Sequence, residues 1–105
     1  MKIFRCILIL FYILVAGPES FAQSSYANLS SSSKKAIEYY ATGDQYFVRR
    51  DYISAIDWFQ KAAKKDGDFI EAWFRIGSSY YNLGDLSKSE EFWNKAYDVS
   101  EFFRF

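Results

Sequence analysis

The chain has 105 residues, a formal net charge of zero, and aromatic side chains at 22% of positions. That length allows one small domain, and basic residues scattered in pairs (Lys34-Lys35, Arg49-Arg50, Lys64-Lys65) do not make the basic stripe that nucleic acid requires. With no histidine, no glycine-rich phosphate loop and no motif joining a nucleophile to a base, the sequence offers no catalytic, metal or cofactor site.

At the start, Lys2 and Arg5 precede an apolar run from Cys6 to Ala16, which Gly17-Pro18 ends. Ser20-Phe21-Ala22 then places small residues at the −3 and −1 positions that a signal peptidase requires. Residues 1–22 therefore read as a secretory signal peptide, cleaved before Gln23. The run is shorter than the ~20 residues a membrane span needs, and an uncleaved N-terminal anchor is the alternative. The membrane is met only through this segment. The expected product is exported, periplasmic or outer-membrane-associated. Its only cysteine, Cys6, leaves with the leader, so no disulfide is available and stability must come from packing.

Residues 23–33, QSSYANLSSSS, contain six serines and read as a flexible linker whose Ser32 or Ser33 can cap a following helix. Beyond it the chain repeats itself at an offset of 34 residues. Gly43/Gly77, Tyr46/Tyr80, Asp51/Asp85, Lys61/Lys95, Ala62/Ala96 and Phe69/Phe103 are identical. Tyr39/Trp73, Tyr40/Phe74, Phe47/Tyr81, Trp58/Phe92 and Phe59/Trp93 keep a ring. Tyr39, Gly43 and Tyr46 recur at helical spacing, as do Trp73, Ile76, Gly77 and Tyr80; Tyr52, Ala55, Phe59 and Ala62 follow one helix later, as do Leu86, Ser89, Trp93 and Ala96. The pattern predicts helices over 33–48, 52–65, 68–82 and 86–99. Asp51, Asp68 and Asp85 are the expected caps, and Gly84 the expected left-handed C′ residue. Gly43 and Gly77 sit inside helices at a cost of about 1 kcal/mol against alanine. Close approach of Ala55 and Ser89 from the next helix would account for them.

A fixed period of 34 residues with this chemistry resembles the tetratricopeptide repeat, over residues 36 to about 101. In the second copy the family pattern falls on Trp73, Ile76, Gly77, Tyr80, Gly84, Asp85, Ser89, Trp93 and Ala96. In the first it falls on Tyr39, Thr42, Gly43, Tyr46, Asp51, Ala55, Phe59 and Ala62. The small residue near the start of the second helix is Ser89 in copy two, and Gly67 and Glu101 stand where a proline normally closes each copy, so the inter-repeat turns are expected to be less rigid. The resemblance implies an all-α fold: two tandem helix-turn-helix repeats, 34–67 and 68–101, forming a short α-solenoid, with residues 102–105 as an aromatic tail.

Such stacks hold other molecules and seldom catalyse. Asp66 with Asp68, and Glu90 with Glu91, read as turn and solvated-face carboxylates. By the resemblance, the second stripe of each first helix lines a concave groove for a partner segment. Those residues are Tyr40, Asp44 and Phe47, then Phe74, Ser78 and Tyr81, with Glu71 and Arg75 nearby. A clamp for a chaperone's C-terminal carboxylate is excluded, because Tyr40 and Asp44 stand where it needs lysine and asparagine. The implied function is a non-catalytic scaffold or adaptor of the bacterial cell envelope that binds an extended peptide or helix of a partner protein. The alternatives are a glycan- or peptidoglycan-binding module, and the N-terminal part of a larger outer-membrane-associated protein with propeller and OmpA-like domains, in secretion or gliding machinery. Phe92, Trp93 and Tyr97 on the last helix are expected to present a side that nothing covers, which implies a second copy, another subunit or a C-terminal continuation.

Overall fold

A computed structural model describes residues 28–102; the predicted leader, the first part of the serine-rich stretch and residues 103–105 lie outside it. Four helices follow one another: α1 (Lys34–Val48), α2 (Tyr52–Lys65), α3 (Ile70–Asn82) and α4 (Leu86–Phe102). They form two antiparallel hairpins, α1–α2 and α3–α4, with α3 laid against α2. The fold is all-helical, as two tetratricopeptide-like repeats should be, and among the described residues no helix is long and apolar enough to cross a membrane.

Each helix begins and ends for local reasons. Ser33 Oγ accepts the Ala36 N–H, Asp51 Oδ1 the Ser54 N–H and Asp85 Oδ1 the Lys88 N–H, at 3.2 Å each, so three free amide groups are satisfied by side chains. Both hairpin turns close the same way. The Arg50 N–H donates to Phe47 O and the Asp51 N–H to Tyr46 O; one period later Gly84 donates to Tyr81 O and Asp85 to Tyr80 O, all at 3.0 Å. This six-to-one and five-to-two pattern needs its penultimate residue in the left-handed region. Gly84 has φ +83°, and Arg50 has φ +63° at the equivalent place. The 34-residue offset lays Arg50 over Gly84, so the period itself points to a left-handed residue there.

The start of α3 differs from expectation. Asp68 does not cap it: Phe69 is the N-cap residue and makes no side-chain bond to the helix. The reason lies in the turn, where Asp66 Oδ1 takes the Asp68 N–H at 3.1 Å and so ties Asp68 outside the helix. The Phe69 N–H donates to Asp66 O, and the Trp73 indole donates to Gly67 O at 2.7 Å, so hydrogen bonds hold the turn that has no proline. At the other end, α4 runs unbroken through Glu101.

The core is one cluster centred on α2: Ala55, Ile56, Phe59, Ala62 and Ala63, with Ala36 and Tyr40 from α1 and Phe69, Ala72 and Ile76 from the next repeat. At both helix glycines the nearest atoms belong to a ring; the expected small residue also comes close at Gly77, through the Ser89 backbone, but not at Gly43. A Cβ built on Gly43 would lie 2.7 Å from Cδ1 and Cε1 of Phe59, and Ala55 is not among its nearest neighbours. One on Gly77 would collide with Trp93 Cδ1, stand 2.7 Å from its Nε1 and 3.0 Å from the Ser89 carbonyl oxygen. Side chains on a helix lean back one turn, which brings the ring four residues beyond Ala55 or Ser89 over the glycine. Ser89, buried with an unpartnered hydroxyl, stands where the first repeat has Ala55.

Phe92 is likewise inside its hairpin. It stacks between Trp73 and Tyr80, at centroid distances of 6.1 and 5.5 Å. The identity of Lys61 and Lys95 has a related cause. Lys61 lies 4.1 Å above the Trp58 ring and Lys95 lies 4.4 Å above that of Trp73. The tryptophan has moved between helices from one copy to the next, and the lysine follows it, as the stronger cation–π partner would dictate.

Two stability outcomes are expected. Arg50→Gly relieves a left-handed side-chain residue worth about 1–2 kcal/mol against a glycine entropy cost of about 0.5–1 kcal/mol. The urea midpoint should therefore rise slightly at unchanged slope. Gly43→Ala should lower it. Phe59 is wholly buried and has nowhere to move, so overpacking of about 1–3 kcal/mol outweighs the gain of about 1 kcal/mol in helix propensity.

Candidate partner-binding groove

The inner face of the two first helices is built around a cross-repeat knot. Arg75, on α3, donates from Nε to the Tyr40 hydroxyl at 3.2 Å, lies 3.7 Å from Asp44 Oδ1, and places its guanidinium 5.0 Å from the centre of the Phe47 ring. One planar cation thus joins a phenol, a carboxylate and a ring, all from α1. Burial pushes the Tyr40 phenol above its ordinary range; the hydrogen bond and charge of Arg75 oppose that rise only in part.

Tyr40 is consequently a core residue and not an open groove anchor. It is only 4% exposed, with its ring 5.4 Å from Phe59 and 5.1 Å from Phe69. Its spacing placed it on the groove stripe. What closes over it is Phe69, from the turn that leads into the second repeat. Phe47 is half-buried in the same way, edge-on to Tyr52 at 5.3 Å and packed against the core.

Among the described residues the second repeat keeps the same three-ring arrangement but leaves it open. Phe74 and Tyr81 flank Trp93 of α4 at 6.1 and 5.6 Å, as Tyr40 and Phe47 flank Phe59. Phe74 is 52% and Tyr81 55% exposed. The Trp93 indole donates to the Phe74 carbonyl at 3.2 Å, which fixes the plane of the central ring. Ser78, between them on α3, bonds back to the Phe74 carbonyl and presents little polarity of its own. So the exposed rings of the candidate groove lie on the second repeat, while the first repeat's side chains are engaged with Arg75. Trp93 was not among the expected groove residues, although its equivalence with Phe59 opposite the stripe could have pointed to it.

Glu71 is occupied by a segment expected to be a flexible spacer. The Ser30 N–H lies 3.1 and 3.2 Å from its two carboxylate oxygens, and Ser30 Oγ donates to Oε2. Ser30 Oγ also accepts the Ile70 N–H at 3.0 Å, so the linker supplies the cap that Phe69 does not. Next to it, buried Ser31 donates to Asp66 Oδ2 at 2.6 Å and accepts the Ser33 N–H, while Leu29 packs on the core. A serine run has no periodicity to reveal such a strap, and nothing in the sequence pairs Ser30 with a residue 41 positions away.

Among the described residues no cluster of acidic, histidine or cysteine side chains has the make-up of a metal site.

Ser30→Ala should remove a cap from outside the helix. A loss of about 1 kcal/mol, the usual cost of a missing N-cap, is expected by urea unfolding, with faster amide exchange confined to Ile70 and Glu71. Unchanged exchange at those amides would mean the strap does not act as a cap.

Set against known families, residues 70–102 match the tetratricopeptide repeat. No curated protein matches the chain.

Proposed function

We propose that the two tetratricopeptide-type repeats of this chain act as a protein-interaction module whose groove engages a partner segment through Phe74 and Tyr81. The repeat family binds other proteins and is in general non-catalytic, which is the coarse function its match supports. The observation that carries the finer reading is the pair of half-exposed rings held on either side of Trp93. Rigid aromatic anchors in a concavity are where binding energy concentrates. The partner presents an extended or helical segment with apolar side chains spaced to reach both rings. The leader-like residues 1–22 support an exported chain, and the module then serves as an adaptor in the bacterial cell envelope.

Peptides selected from a displayed random library against residues 23–105 test the groove directly. Phe74→Ala with Tyr81→Ala should weaken their binding by about tenfold or more, a typical cost of losing two anchors, while helical circular dichroism stays unchanged. If the selected peptides bind the double variant as well as the parent chain, the groove reading fails.

A further inference from the structure

The 34-residue offset carries one face of the second repeat onto a face of the first that is already covered. In the first repeat, Ala36, Tyr40, Phe59, Ala62 and Ala63 are buried in one cluster with Phe69, Ala72 and Ile76, which arrive from the next repeat along one stripe of α3. Their counterparts in the second repeat are Ile70, Phe74, Trp93, Ala96 and Tyr97. With Ser100 they line an open apolar cleft of about 390 Å³ between α3 and α4. Tyr97 is 60% exposed where its counterpart Ala63 is 2% exposed.

We propose that this cleft is a docking site for an amphipathic helix of a partner protein. The helix carries an aromatic residue just before its first turn, then a small residue and an aliphatic one three and seven positions later. That signature is the stripe Phe69, Ala72 and Ile76, each wholly buried where it covers the equivalent face. The receiving rings differ in one useful way. Phe74 lacks the hydroxyl that Tyr40 offers to Arg75, so the incoming helix needs no cation at that position.

A second copy of this chain does not fit head to tail. Stacked in the same register, α1 would present Lys35, Glu38 and Thr42 where Phe69, Ala72 and Ile76 sit. Lys35 and Glu38 are exposed and ion-paired at 3.4 Å. Burying that pair against Trp93 and Tyr97 would desolvate two charges with no partner on the cleft side. Among the described residues the repeat stack therefore has one polar end and one acceptor end. The acceptor end takes a helix of different composition from α1.

This face shares Phe74 and Trp93 with the Phe74–Tyr81 groove but extends to Ala96, Tyr97 and Ser100, so variants at Tyr97 and at Tyr81 let the two fail independently. The probe is a peptide of residues 66–82, held helical by a staple on its exposed side, titrated into the isotope-labelled chain 23–105. Saturable amide shifts are expected at Trp93, Ala96, Tyr97 and Ser100. Tyr97→Glu, at an exposed site that should leave circular dichroism intact, should weaken binding about tenfold or more. Tyr81→Ala should not, and a Phe69→Glu peptide should not bind. Absence of saturable shifts at these residues would overturn the proposal, as would shifts that map instead to Tyr40 and Phe59. So would a chain dimer lost with Tyr97→Glu, which gives the face to a second copy. Trp93 protection in the chain alone that disappears with Phe103→Ala gives it to the chain's own end, and overturns it equally.

Discussion

The two repeats depend on the contact between a helix glycine and a ring from the helix opposite. Gly43 lies under Phe59 and Gly77 under Trp93, at distances that leave no room for a methyl group. Glycine is among the worst helix formers, so both first helices give up intrinsic stability at their middles. In return the hairpin closes far enough for one ring to reach between two others. Tyr40 and Phe47 then flank Phe59, and Phe74 and Tyr81 flank Trp93. The rest of the architecture follows from that closeness. The flanking rings lie on the side of the hairpin where a neighbouring repeat or a partner can reach them, and the remaining rings (Tyr39 and Trp58, Trp73, Tyr80 and Phe92) fill the opposite side.

Equivalent residues acquire different roles because only one repeat has a successor among the described residues. Phe59 is fully buried and Trp93 half-exposed; Ala63 is covered and Tyr97 is open. At these two positions the substitutions run with the environment, larger and more amphipathic rings replacing smaller side chains where the described cover is missing, whereas Tyr40 and Phe74 run the other way. Indole and phenol tolerate partial hydration better than phenyl and methyl groups. At the other end, α1 presents Lys35, Glu38 and Gln45 where α3 presents Phe69, Ala72 and Ser79, so the first repeat is finished with a charged surface. Stacked repeats need such a polar end to stay soluble. The Ser30–Ser31 strap reinforces the junction, satisfying the first amide of α3 and holding the Asp66 turn.

Helix number, order and the hairpin pairing could be read from the sequence because all three rest on periodic apolar spacing. Asp51, Asp85 and Gly84 were legible because capping and left-handed turns have narrow residue preferences. Asp68 was misread on the same rule: Asp66 also fits the turn, and which carboxylate takes the free amide depends on tertiary position. Arg50 escaped notice because arginine carries no left-handed preference, even though its period mate is Gly84. The strap left no trace, since hydrogen bonds across 41 residues have no local pattern.

The candidate groove shows most clearly where spacing stops being informative. The stripe of Tyr40, Asp44, Phe47, Phe74, Ser78 and Tyr81 is correct as geometry: all six lie along the first helices at the expected spacing. Exposure is a different property, decided by what comes next in the stack. Tyr40 and Phe74 occupy the same position one period apart, and Phe69 arrives over the first and not, among the described residues, over the second. A ring that is core in one copy is therefore surface in the other with no change in local pattern. Arg75 then adds polarity to the buried copy by joining Tyr40, Asp44 and Phe47, which removes three of the six from any simple binding role. Among the described residues the exposed rings of this face are thus concentrated in the second repeat, where the ring triad keeps the shape of the first.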